Sequence, residues 1–468
     1  MKDKDRESNR KLSVCWEYLK RIIGIMGALI IFFEISDMLN YMYVEDYNWG
    51  RILWHHFYED NGSIDNIYLG SSHVYCDINP MQLDKINGQY NFNLSSGLQR
   101  LNGSYYLLRE ADKRNSLSHV YLELYYMCST KDNFNIEPID TDYYVNWRNT
   151  DYMRWSYNKF QYLLSSSYTE SYIDALLPFV RYRTHLDDWN YIKKRMEEKK
   201  KEQYLSYQYY NEDDNGYTTE YMQQGYHYNT AKFLDESRKY YQDRVLEKNP
   251  LGEKSEKYLR KIICYCQEQN IPITLFISPI DELQIISTEH YDNYINQIKE
   301  IAEEYSVPFY DFNLAKEEYL PIQHGEYFRD TGHLNDTGAS MFTPFFSEVV
   351  FRDVDENEKY FYTSYAEKLQ SEAPAIYGFY YRKYEVAEEL AEQEETLICR
   401  IASNREEGME YRIILTINEE EGQDRKQMLQ DFSENKEFRI PADEHGICTI
   451  VARMKNNPEE VQTLEVNY

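Results

Sequence analysis

An apolar segment from Ile64 to Leu69 runs straight into Gly70-Ser71-Ser72, and the form recurs downstream. "YNFNL", Tyr90 to Leu94, enters Ser95-Ser96-Gly97, a helical stretch follows, and "HVYLEL", His119 to Leu124, is the next apolar run. Short apolar runs that alternate with helical patterns predict a parallel sheet. Such sheets carry their functional loops at the carboxyl ends of the strands. The chemistry of this chain is therefore expected just after its strands.

The same logic resumes later. "PITLFISP", Pro272 to Pro279, and "VPFYDF", Val307 to Phe312, read as two more strands. Between them Tyr291, Tyr294, Ile295, Ile298, Ile301, Ala302 and Tyr305 recur with the spacing of one buried helix face. A last helix after His333 sets Met341, Phe342, Phe345, Phe346, Val349 and Val350 on one side. The α/β domain is thus expected over about 60–355. From about 128 to 251 the alternation stops and Tyr-rich amphipathic pieces take over, which predicts a helical insertion that could serve as a lid or partner surface. Beyond 360, alternating runs such as "EYRIILTIN" and "GICTIVARMKN" predict a β-sandwich accessory domain over 360–468.

The N-terminus adds a second constraint. Lys2, Lys4, Arg6, Arg10, Lys11, Lys20 and Arg21 precede "IIGIMGALIIFF", Ile22 to Phe33, and Glu34 and Asp37 follow it. Basic residues before an apolar run and acidic ones after it place 1–21 in the cytoplasm and the body outside. The run is shorter than the ~20 residues that span a bilayer, so the anchor is drawn over 22–44, extended by Ile35, Met38, Leu39 and tyrosines. A cleaved signal peptide would need a small-x-small site, and none follows. The expectation is a single-pass membrane protein with its domains outside the cell.

Composition removes some functions. The formal net charge of −29 repels phosphate backbones, so no nucleic-acid partner is expected. The 49 tyrosines suit stacking on sugars, although ordinary packing also uses them. Seven cysteines without a CxxC pair argue against a zinc site or a disulfide scaffold. Cys264-x-Cys266 reads as partly buried thiols. Neither metal nor cofactor is expected.

The candidate chemistry lies in Ser72 and in "RDTGHLND", Arg329 to Asp336. A serine hydroxyl becomes a nucleophile when a histidine takes its proton, and an acid fixes that histidine's tautomer. Asp330-x-x-His333 permits such a pair. Charge developing on the attacked carbonyl needs donors, and the backbone N–H groups of Ser72 and Gly97 follow strands that end on one edge.

The order Ser, Gly, then Asp-x-x-His before the last helix resembles the SGNH/GDSL hydrolase superfamily. The "GSS" form, the anchor, the insertion and "DTGHLNDTGASMF" are most similar to its membrane-anchored envelope branch, which includes D-alanyl-lipoteichoic acid biosynthesis and polysaccharide O-acetylation proteins. The resemblance covers about residues 60–350. It implies a three-layer, flavodoxin-like α/β domain in which Ser72 is the nucleophile, Asp330 and His333 complete the triad, and Ser72 and Gly97 form the oxyanion hole. Ser71 stands where that family usually has Asp. The family's G-x-N-D block is absent, with "LELYYMCST" in its place. Tyr125 or Tyr126 is the expected substitute, and His73 a candidate substrate contact.

The function implied is a serine esterase or O-acyltransferase acting on acyl groups of envelope glycans or teichoic-type polymers. Its implied partners are the glycan or an acyl carrier and a multi-spanning membrane O-acyltransferase. The rival reading is a non-catalytic envelope module that binds glycan through an inactive domain of the same fold.

Overall fold

The computed structural model describes residues 2–60, 62–130, 147–166, 172–233, 239–240, 244–322, 325–351, 357–383, 396–418, 425–441 and 445–468. Residues 131–146 of the expected insertion and 384–386 of the strand expected after 376 lie outside the described residues.

The chain opens with helix α1, Lys2–Tyr43. Its part Trp16–Tyr43 is 28 residues long and contains an 18-residue stretch of mean hydropathy 2.1, almost none of it buried, so it is long and apolar enough to cross a membrane. Helix α2, Asn48–Glu59, follows and buries Ile52, Leu53, Trp54 and Phe57.

The α/β domain is built on five strands: β1 (Asn66–Leu69), β2 (Asn91–Asn93), β3 (His119–Glu123), β4 (Ile273–Ile277) and β5 (Phe309–Asp311). All four neighbouring pairs are parallel, and the order is β5-β4-β3-β1-β2. Ile67 of β1 stands opposite Phe92 on one side and Val120 on the other. β1, β2 and β4 are buried at every position, as strands covered on both faces must be. The helices that cover them are α3 (Ser72–Asp77), α4 (Leu101–Asp112), α5 (Glu253–Gln269), α6 (Tyr291–Tyr305) and α7 (Asp336–Val350). On one face Phe346 of α7 packs against Tyr68, Tyr121 and Phe276, one residue from each of the three central strands. Pro344 inside α7 leaves the Ser340 carbonyl without its helical donor, and the Gln82 amide reaches it at 3.4 Å.

The C-terminal region forms separate, mainly antiparallel sheets. One contains β6 (Ile376–Lys383), β7 (Thr396–Ser403) and β10 (Glu437–Pro441), and the other β8 (Met409–Ile417), β9 (Arg425–Ser433), β11 (Gly446–Met454) and β12 (Asn457–Asn467). β8 and β11 alternate buried and part-buried positions, and their inward residues share a core with Phe379, Cys399 and Ile401 of the first sheet. Lys239–Tyr240 of the insertion adds a parallel strand to β6, so the insertion and this region share a sheet.

The insertion is not purely helical. Tyr210–Glu212, Thr218–Tyr221 and His227–Asn229 form a three-stranded antiparallel sheet. The reason is turn chemistry: Asp213 Oδ1 accepts the N–H groups of Asn215 and Tyr217, and Gly216 takes φ +79°. The helical stretch is also broken, at Pro178 and again before Asp188, which caps Trp189–Glu198.

The α/β domain and the C-terminal region meet at the short helix Glu282–Ile286, where Leu283 packs with Tyr377, Tyr380 and Ala402. Glu282 is buried there, paired with buried Lys368 and accepting the Tyr365 hydroxyl at 2.5 Å. Removing one partner of a buried pair strands the other charge. Lys368→Met is expected to cost about 3–5 kcal/mol in urea unfolding of the detergent-solubilised chain, and Glu282→Leu added to it to restore most of that loss; equal stabilities of the single and double variants would refute the pairing.

Candidate active site

The turn after β1 has one geometry that fits. Gly70 takes φ +151°, and a Cβ there would stand 2.6 Å from both the Cβ and Oε2 of Glu123. Only glycine clears that carboxylate. Glu123 Oε2 in turn accepts the Ser71 N–H at 2.9 Å, which pins the turn to the end of β3. Ser71 then caps α3, its Oγ accepting the His73 N–H at 3.3 Å. Ser72 is thereby held in the first turn of a helix that starts one glycine and one serine past the strand.

The other half comes from the loop before α7. The Arg329 N–H donates to the His333 carbonyl at 3.0 Å, and Phe328 bridges Leu334, so Asp330 to Gly332 form a tight loop. Asp330 Oδ1 accepts the N–H groups of Gly332 (2.8 Å) and His333 (2.9 Å). The Leu334 N–H donates to Asp77 Oδ1 at 3.1 Å, which ties this loop to the end of α3. Asn335 caps α7 by accepting the Gly338 N–H at 3.0 Å.

These two constructions bring Ser72, His333 and Asp330 together. Ser72 Oγ lies 2.6 Å from His333 Nε2, and His333 Nδ1 lies 2.8 and 3.0 Å from the two carboxylate oxygens of Asp330. With Nδ1–H directed to the carboxylate, Nε2 is free to accept the serine proton. Burial pushes the Asp330 carboxyl up, but the His333 charge and hydrogen bond, Arg329 and the Gly332 N–H outweigh it and hold it well below the usual carboxylate range. It is an anion at any physiological pH.

Behind His333 the ring of His73 stacks at 4.7 Å and 23°. His73 is buried, its Nδ1 lies 2.8 Å from Ser71 Oγ, and its other face meets Tyr125 at 4.1 Å. Burial first, and then the neighbouring His333, push its pKa far below the usual imidazole value, so it is neutral. His73 therefore touches the His333 imidazole rather than open space. The Tyr125 hydroxyl donates to Met127 Sδ at 2.7 Å and accepts from Gln284 at 2.6 Å. Tyr126 is fully buried, its hydroxyl accepting from Gln284 and Thr288.

Gly97 sits at the carboxyl end of β2, its carbonyl accepting from Arg148 Nη1 at 2.9 Å, and that guanidinium fills the space a Cβ would need. Among the described residues neither the Ser72 nor the Gly97 N–H has a protein acceptor.

Four further groups border the site that residue patterns did not single out. Arg329 stands beside Asp330, with Nε 3.5 Å from Oδ2. Trp49 and Tyr75 flank His227 at 3.8 and 5.4 Å between ring centres, so the insertion reaches the wall of the cleft. Both ring nitrogens of His227 are buried without a partner among the described residues. Glu123 did leave a signal, as the one acid in an otherwise apolar strand. His227 left none, because it arrives from 155 residues downstream of Ser72 through a tertiary contact.

Neither the family-model scan nor the search of curated proteins gives a match to this chain.

Burial pushes Glu123 up from 4.5 to about 7, against the Ser71 hydrogen bonds that lower it. The folded state thus favours the protonated acid, so this contribution is complete below pH 4.5 and is lost as pH rises to about 7. The loss amounts to about 3 kcal/mol. Urea unfolding between pH 4.5 and 8 is expected to show a flatter pH profile for Glu123→Gln than for the natural chain; parallel profiles would contradict it.

Proposed function

We propose that this chain is a membrane-anchored, extracytoplasmic serine esterase or O-acyltransferase with an SGNH-type, three-layer α/β domain, acting on acyl groups of cell-envelope glycans or teichoic-type polymers. The observation that carries the reading is the continuous Ser72–His333–Asp330 hydrogen-bond line at the carboxyl edge of a parallel sheet. Strand order supports it too, since 2-1-3-4-5 reverses between β1 and β3, where Ser72 and Tyr125 emerge.

The chemistry follows from the contacts. Ser72 Oγ attacks an ester carbonyl while His333 Nε2 takes its proton, and Asp330 stabilises the imidazolium without accepting a proton. The carbonyl oxygen, now negative, is met by the Ser72 and Gly97 N–H groups. Collapse expels the alcohol, which leaves with the proton from His333. Water or an acceptor hydroxyl then gives its proton to His333 and attacks the acyl-serine. Water makes the protein an esterase, and a glycan hydroxyl makes it a transferase.

One observation favours the rival, a glycan-binding module with an inactive domain: Tyr125 occupies the end of β3 in place of an oxyanion asparagine, and its hydroxyl is engaged by Gln284 and Met127. Fluorophosphonate labelling of the purified chain separates the two. Labelling is expected at Ser72, absent in Ser72→Ala and His333→Ala, and slowed roughly 10⁴-fold in Asp330→Asn. No labelling where a control serine esterase reacts would favour the binding module.

A further inference from the structure

The apolar run Ile22 to Phe33 has 12 residues, about 18 Å of helix, against a hydrocarbon core of about 30 Å. If Lys20 and Arg21 mark the inner boundary, the outer boundary falls about 20 residues on, close to Tyr41. Phe33 then lies about 12 Å below it. Yet the second half of α1 does not stand alone at that depth. The Phe33 ring is 6.3 Å from Trp155, Asn40 Oδ1 accepts the Phe179 N–H at 3.0 Å, and the Tyr43 hydroxyl donates to the Leu186 carbonyl at 3.2 Å. Lys159 lies within electrostatic reach of Asp37, so the insertion also offers a cation to an anchor carboxylate.

The insertion segments that hold α1 are apolar on the outside. Trp155, Phe160, Leu164, Ile173, Leu186 and Trp189 are all exposed, Trp189 by 73%. In the helix Tyr157–Ser166 apolar residues lie on both sides: Tyr157, Phe160 and Leu164 face outward at i, i+3 and i+7, while Tyr162 and Leu163 are buried with Asn158 and Lys159. A chain with 28% charged residues has ample polar surface for water, and large apolar side chains exposed together on segments packed against one another mark an interaction surface. Arg183 and Lys193 on the same segment are paired with Asp174 and Glu197, and aromatic and aliphatic side chains interspersed with paired charges suit the headgroup boundary of a bilayer.

We propose that the insertion seats on the outer leaflet around α1, immersing Trp155, Phe160, Leu164, Ile173 and Trp189 in the headgroup and upper acyl region. The occupant of this surface is lipid. Continuity decides this: the exposed apolar side chains belong to segments that pack on α1 between Phe33 and Tyr43, and α1 is itself long and apolar enough to cross the bilayer. The inference rests on α1 spanning the membrane and is independent of any chemistry at Ser72.

The test uses the full chain in nanodiscs of phosphatidylglycerol and phosphatidylethanolamine, one chain per disc, with Cys15 and Cys264 replaced by serine. Nitroxides are attached at Leu164→Cys, Ile173→Cys and Trp189→Cys, with Ile30→Cys in α1 and Val461→Cys in β12 as references. Collisions with oxygen are expected to exceed those with a water-soluble nickel chelate at 164, 173 and 189, as at 30, with the reverse at 461. Nickel dominance at the three insertion sites with oxygen dominance at 30 would overturn the proposal and leave the anchor intact. Shielding from both reagents would also overturn it, by showing a protein cover. Nickel dominance at 30 would remove the anchor itself, and the proposal with it.

Discussion

In a sheet whose strands all run one way, every strand delivers its last residue to the same edge, and this chain depends on that. Ser72 and His333 are 261 residues apart, yet their side chains meet at 2.6 Å because one follows β1 and the other precedes the helix that returns across the same strands. Two buried contacts make the meeting definite. Glu123 holds the Ser71 amide from the adjacent strand end, and Asp77 holds the Leu334 amide from the histidine loop. Both carboxyls are buried, and burial raises their pKa. The site is thus positioned by acids that stability alone would not favour.

The His333 imidazole is backed by a series of packed groups. His333 stacks on His73, His73 meets Tyr125 at a tilt of 48°, and the Tyr125 hydroxyl accepts from Gln284. Gln284 belongs to the short helix whose Glu282 takes Lys368 and whose Leu283 packs on the C-terminal region. The histidine's orientation is therefore supported by contacts that reach the second half of the protein. Neutral His73 gives that support without adding charge beside the imidazolium.

Much of this was legible in local patterns. The five strands carried apolar runs and punctuating small residues, and Asp330-x-x-His333 stood directly before a helix with a marked apolar face. The alternation in "EYRIILTIN" became β8 because period-two patterning has one solution on a half-buried sheet. What escaped was non-local. Nothing in the sequence places His227 beside Tyr75 or Arg148 on Gly97, since both contacts come from the insertion folding back on the sheet edge. The hairpin closed by Asp213 to Gly216 did carry a turn signal, masked by its polar composition. Strand order was also beyond reach, because it depends on which helix crosses which face.

The insertion joins the protein's two surfaces, with its hairpin on the cleft and its helices around α1. The central claim is that Ser72 is an activated nucleophile, and trapping the acyl-enzyme tests it most directly. After rapid mixing with an activated acetyl ester and acid quenching, peptide mass mapping should find one acetyl group, on Ser72, formed in a burst and missing from His333→Ala. Turnover without acetyl on Ser72, or acetyl on Ser72 formed equally well without His333, would contradict the account.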